Sequence, residues 1–78
     1  MKNVYMITEC YDNGILTDKW YYHYIVDGDK FKQAKNNVWH DLDSSISYIA
    51  NDIEVLKISE DRILRKITKE EYEWSQIK

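Results

Sequence analysis

The 78-residue chain has one cysteine, no proline, two glycines and two alanines. The lone Cys10 cannot close an intrachain disulfide, and no set of metal-binding cysteines exists. The two glycines sit in turn-like contexts, so no glycine-rich phosphate loop is available. No Pro/Gly/Ser-rich linker, repeat or low-complexity stretch divides the chain, which reads as a single domain over 1–78. No long run is free of charged or strongly polar residues, and a membrane-crossing helix needs about 20 apolar residues. The opening Met1-Lys2-Asn3-Val4-Tyr5 leads into alternation and not into an apolar block, so no secretory signal is expected and the cytoplasm is the expected compartment. A chain this short with no staple folds on a modest core or borrows surface from a partner.

What is abundant is aromatic and acidic. Seven tyrosines and three tryptophans supply large amphipathic rings, which serve cores and interfaces alike. Eleven basic residues face fourteen acidic ones, giving −3. That balance argues against ordinary phosphate-backbone binding, so no direct nucleic-acid contact is expected. Lys, Ile, Asn and Tyr make up 31 of the 78 residues, whereas Ala, Gly, Pro and Arg make up 6. The first group uses AT-rich codons, which points to the genome of a low-GC bacterium or its phage.

Residues 4–11 read as a strand, followed by Asn13-Gly14, a type I′ hairpin signal. Residues 15–26 form the return strand, rich in β-formers from Lys19 to Val26. Asp27-Gly28 bends the chain back through Asp29 to Ala34. With Asn13-Gly14 as the first loop, Ile7 opposes Trp20 and Tyr5 opposes Tyr22; with Asp27-Gly28 as the second, Tyr24 opposes Phe31. Tyr5, Ile7, Trp20, Tyr22, Tyr24 and Phe31 then share a core face. That register also sets Glu9 against Asp18, an unfavourable pair. A bulge, a splayed hairpin end or a shifted register is expected there.

Ile46, Ile49, Ala50 and Ile53 follow helical spacing, with Asp43 or Ser44 as N-cap. A rival reading extends this stripe back through Leu42, Val38, Ala34 and Phe31 into one long helix. The hairpin is preferred, because Asp27-Gly28 needs a turn and Asn36-Asn37 is a poor helix centre. Residues 54–58 and 63–67 form a second hairpin around Ser59 to Arg62. Thr68-Lys69-Glu70-Glu71 is a capping box, with Ile67 and Tyr72 as its hydrophobic staple. The closing helix should carry Tyr72 and Ile77 to the body, with Trp74 at its margin. The expected fold is α+β: an antiparallel sheet of about five short strands, ordered βββ-α-ββ-α, with two helices.

Candidate chemistry is sparse, and no cofactor or enzyme activity is expected. His40-Asp41-Leu42-Asp43 gathers an imidazole and two carboxylates, but no second ligand pair accompanies them, so a polar loop ending in a helix cap explains them better. Cys10 and His23 are the residue types of a thiolate–imidazole pair, yet the register keeps them apart. Trp20, Tyr21, Tyr22 and Tyr24 raise base stacking, with Lys19, Lys30, Lys32 and Lys35 nearby; single-stranded nucleic-acid binding is therefore a minor alternative. Residues 41–61 hold Asp41, Asp43, Asp52, Glu54, Glu60 and Asp61 against Lys57 alone, a local charge of −5. A solvated surface explains such a run; an acidic face steering a basic partner is the functional reading.

Size, AT-rich usage, acidity and aromatic excess make the chain similar in type to the small inhibitory proteins that phages direct against host machinery. Such proteins block the replication sliding clamp, nucleases, uracil-DNA glycosylase or RNA polymerase, often by imitating DNA with acidic side chains. The resemblance implies a non-enzymatic inhibitor of a host DNA-handling protein, with Asp41, Asp43, Asp52, Glu54, Glu60 and Asp61 facing the partner. Trp20, Tyr21 and Trp39 are the candidate aromatic contacts. A homodimer is also expected, because Trp20, Tyr22 and Tyr24 alternate with Tyr21, His23 and Ile25 and leave apolar area on both faces. A self-associating assembly module is the competing reading.

Overall fold

The computed structural model describes residues 1–51 and 53–77. Asn13 and Gly14 both take positive φ, at 52° and 78°, as a type I′ turn requires. They join two long strands, β1 (Lys2–Asp12) and β2 (Ile15–Asp27). Gly28 and Asp29 form the next loop and lead to β3 (Lys30–Gln33). The loop is thus one residue later than Asp27-Gly28, and Gly28, with φ 61°, takes the first loop position, the place a II′ turn reserves for glycine. Tyr24 therefore opposes Gln33, although its ring still meets Phe31 edge-on at 5.3 Å.

The first hairpin differs from the expected register in an instructive way. Asp12 opposes Ile15 as expected, but the register shifts between Tyr11 and Cys10, and Thr17 is left without an opposite residue. This bulge sets Glu9 against Lys19 and removes the Glu9–Asp18 clash. A one-residue slip also exchanges faces. Val4, Met6 and Thr8, not Tyr5 and Ile7, share a face with Trp20, Tyr22 and Tyr24.

The remaining elements are β4 (His40–Asp41), α1 (Ser44–Ala50), β5 (Val55–Ser59), β6 (Arg62–Lys66) and α2 (Lys69–Ser75). All six strands join one antiparallel sheet in the order β4-β3-β2-β1-β6-β5. The class is α+β, with six strands and not about five. The extra one, β4, is a two-residue edge held by the Lys30–Asp41 ion pair and by Leu42 N–H to Asp29 C=O at 2.9 Å. Two residues are too few for any period to show.

Helix α1 packs Ile46, Ile49 and Ala50 on Val4, Met6, Val26 and Leu64. Asp43 is its N-cap, accepting from Ile46 N–H at 2.8 Å, and the Lys2 ammonium donates to the Ala50 carbonyl at its other end. The helix stops before Ile53, which is 43% exposed and not part of the buried stripe. Helix α2 covers the opposite face, where Tyr72 meets the Tyr5 and His23 rings at 5.5 and 5.6 Å. Thr68 caps it, accepting from Glu71 N–H at 3.0 Å. Ile67 is buried, but Ile77 is 70% exposed and does not reach the body. Replacing Thr68 by Ala should cost about 1 kcal/mol, measured by urea unfolding. Partner binding by the folded protein should not change.

Candidate functional site

The two helices are much shorter than the strands they cover. Seven residues of α1 span roughly 10 Å, whereas thirteen residues of β2 span roughly 40 Å. One half of the inner face is therefore covered and the hairpin half is not. Beyond the helix lie Trp20, Tyr22, Thr8, Ile58 and Arg62, which line a shallow trough. Trp20 is 44% exposed there. The Tyr22 and Tyr24 rings stack at 5.7 Å and continue the aromatic row toward the core.

Strand β2 is also uncovered along one side. Strand β3 pairs only with Tyr24 to Asp27, so residues 15–22 lie past its end. A cleft of about 300 Å³ opens at this point. Residues from both faces of β2 line it, Trp20 and Tyr22 from one and Tyr21 and His23 from the other, as an open edge permits. Lys35 and Tyr72 also line it. The His23 imidazole is held below its usual pKa, first by burial and then by the positive charges of Lys69 and Lys35. Its Nε2 lies 2.9 Å from Asn3 Oδ1. Burial pushes the Tyr24 hydroxyl up, with smaller contributions from Tyr22 and Asp43.

The aromatic candidates do not form one patch. Trp20 and Tyr21 are neighbours on opposite faces, and the Lys19 ammonium sits 5.7 Å from the Tyr21 ring. Trp39 is 41% exposed in the segment between β3 and β4, under Lys32. Trp74, which the sequence placed only at a margin, is 73% exposed and lines a cleft with Tyr21.

The acidic candidates are dispersed. Asp41 is paired with Lys30 on β4, at the sheet edge opposite β5. Asp43 is engaged as the cap of α1. Glu54 precedes β5, with its carbonyl on Lys66 N–H at 2.8 Å. Asp52 lies outside the described residues. Glu60 and Asp61 share the β5–β6 turn, which Tyr11 N–H holds to the first hairpin through the Asp61 carbonyl at 2.7 Å. A run of acids in sequence is thus split between two edges of the sheet.

His40 packs its ring 5.4 Å from Phe31, and among the described residues no group of three His, Cys, Asp or Glu is placed to hold a metal. Cys10 opposes Asp18 while His23 opposes Tyr5, which separates the two along the ladder. Among the described residues no helix is long and apolar enough to cross a membrane. No protein family, curated protein or solved structure matches the chain.

Proposed function

We propose that the chain is a non-enzymatic protein-binding module of the inhibitory kind, which docks on its partner through the uncovered half of β2. Trp20 carries this reading. It is 44% exposed, fixed on a paired strand beside Tyr22, and bordered by Ile58 and Thr8. A large ring on a rigid support loses little conformational freedom on docking, and tryptophan is enriched among residues that dominate binding energy. The test is capture from bacterial lysate by the immobilised full chain and by Trp20→Ala. One stoichiometric protein on the wild type and its loss on the variant support the reading. Recovery of nucleic acid, or of this chain alone, overturns it.

A basic, DNA-handling partner such as a nuclease or a sliding clamp is the second reading. The Tyr11–Asp61 bond favours it, because it sets the first hairpin turn, with Asn13, beside Glu60 and Asp61 at one end of the sheet. Clustered carboxylates accelerate docking on a cationic surface. Reversing Glu60 and Asp61 to Lys should slow association with the captured partner several-fold. The same reversal of Asp27 and Asp29, at the far end of β2, should change it little. Raising salt from about 0.1 M to about 1 M shortens the screening length from about 10 to about 3 Å and should abolish the difference. Equal effects of the two reversals would leave the turns as ordinary solvated surface.

A further inference from the structure

The free edge of β2 has a definite hydrogen-bonding inventory. The His23 carbonyl accepts from Ala34 N–H at 2.9 Å, so the backbone of His23 faces the β3 side. Tyr5, opposite it, turns its carbonyl away to Ile67 N–H at 2.9 Å, which fits the same alternation. Backbone groups two residues apart in a strand face the same way. Tyr21 and Lys19 therefore face the side where β3 has ended, and among the described residues no strand lies beside them. Lys19 N–H is satisfied by the Asp18 carboxylate at 3.0 Å. Tyr21 N–H, Tyr21 C=O and Lys19 C=O point out of the sheet.

Natural sheets blunt open edges with bulges and lysines. The bulge at Thr17 and the Lys19 side chain do this at the hairpin end. At Tyr21 there is no bulge, although the Lys19 ammonium lies 5.7 Å from its ring. Instead the edge is flanked by rings on both faces, Trp20 and Tyr22 on one, Tyr72 and Trp74 on the other. An added strand presents alternate side chains to alternate faces, so it would fill both sets.

We infer that the edge of β2 from Asp18 to Tyr22 takes up an extended, carboxylate-bearing segment of the partner protein as an added strand. The inference rests on the protein-binding reading above and specifies its contact. Charge selects the segment. Lys19, Lys35 and Lys69 surround this edge, and the last two depress the His23 pKa, so their field reaches the cleft. Of the acids beside this edge, Asp18 accepts from Lys19 N–H at 3.0 Å, and Glu71 shares Arg65, at 3.6 Å, with Glu9, which lies opposite Lys19.

A second copy meets an obstacle when it pairs about Trp20. Antiparallel pairing of two β2 strands about Trp20 sets Thr17 of one copy against His23 of the other, where Ala34 is already bonded. Beyond that rung, β3 of each copy occupies the path of the other's hairpin. A segment that turns away after about five to seven residues meets no such obstacle.

The test selects binders to the full chain from a displayed library of random nine-residue peptides. Enriched peptides should carry carboxylates, bind Tyr21→Phe within about twofold of wild type, and bind Tyr21→Pro at least tenfold more weakly. Proline on an outward-facing strand N–H removes the donor without breaking a ladder bond. On wild type, the bound peptide should protect the Tyr21 amide from hydrogen exchange at least tenfold. N-methylation of the peptide in one alternating frame should abolish binding, and in the other frame should not; this arm needs no variant to fold. Absence of enriched peptides, an unprotected Tyr21 amide, or protection by oligothymidylate in place of peptide overturns the inference. If the lysate partner binds wild type but not Trp20→Ala, and leaves Tyr21 exchange unchanged, strand addition falls and the protein-binding reading stands. If no protein is captured, that reading falls as well.

Discussion

Replacing Ile49 by Ala should lower the folding free energy by about 3 kcal/mol, since truncating a buried Ile or Leu costs about 2–5 kcal/mol. Ile49 is 0% exposed and belongs, with Ile46 and Ala50 of α1, to the buried cluster that includes Val4, Met6 and Leu64. The helix has only seven residues, too few to persist in water by itself, so this packing is what holds it. A 78-residue domain has a stability of roughly 4–12 kcal/mol, and this one has no disulfide to add to a small core. The variant should therefore unfold at a much lower urea midpoint, and α1 should lose hydrogen-exchange protection. Tyr48→Ala is the control. Tyr48 is the preceding helix residue and 52% exposed, so its loss should cost well under 1 kcal/mol. Equal losses at the two positions would mean that α1 does not dock as described.

Local chemistry explains which parts of this fold were legible in the sequence. Asn13-Gly14 and Thr68-Lys69-Glu70-Glu71 each carry their instruction within four residues: the turn forms as read and Thr68 caps α2 as read, whereas the Glu71 carboxylate lies 3.6 Å from Arg65. The apolar stripe of α1 was legible as far as Ala50, and its end was not, because Ile53 continues the spacing past the last helical residue. The β1–β2 register depended on one bulge. The Glu9–Asp18 conflict announced that something must give, but the conflict alone did not say that Thr17 would be the extra residue. That single position decides which rings meet the core. The same slip explains the limits of the site reading. Tyr5 and Ile7 change faces, whereas Trp20 stays with Tyr22 and Tyr24 but lies beyond α1, at the uncovered end of their face. The acids of residues 41–61 are neighbours in sequence and so suggest one surface, whereas the strand order sends Asp41 and the β5 strand to opposite edges. The open edge at Tyr21 follows from β3 ending at Gln33 after four residues, a length no composition rule fixes.

Trp20→Ala should weaken binding to the captured partner by at least 30-fold, which corresponds to about 2 kcal/mol, while leaving the fold in place. The two halves of this expectation have one cause. At 44% exposure in the free protein, Trp20 contributes part of its area to the sheet and keeps the rest for contact. It lies beyond α1, outside the cluster that Val4, Met6 and Ile49 form, so its removal opens no enclosed cavity. Stability should fall by about 1 kcal/mol or less. In a complex the same ring is flanked by Tyr22, Ile58 and Thr8, which can exclude water around it. The change should appear mainly as faster dissociation, because it removes short-range packing and no charge. Trp74→Ala provides the comparison. Trp74 is more exposed, at 73%, but stands on the outer side of a seven-residue helix on the other face of the sheet. It borders the Tyr21 edge without facing the trough, so its loss should cost binding less than tenfold. Surface plasmon resonance of the two variants against one partner separates the cases. If exposure alone governed binding, Trp74→Ala would be the more damaging change. If placement on the rigid, uncovered strand governs it, Trp20→Ala is.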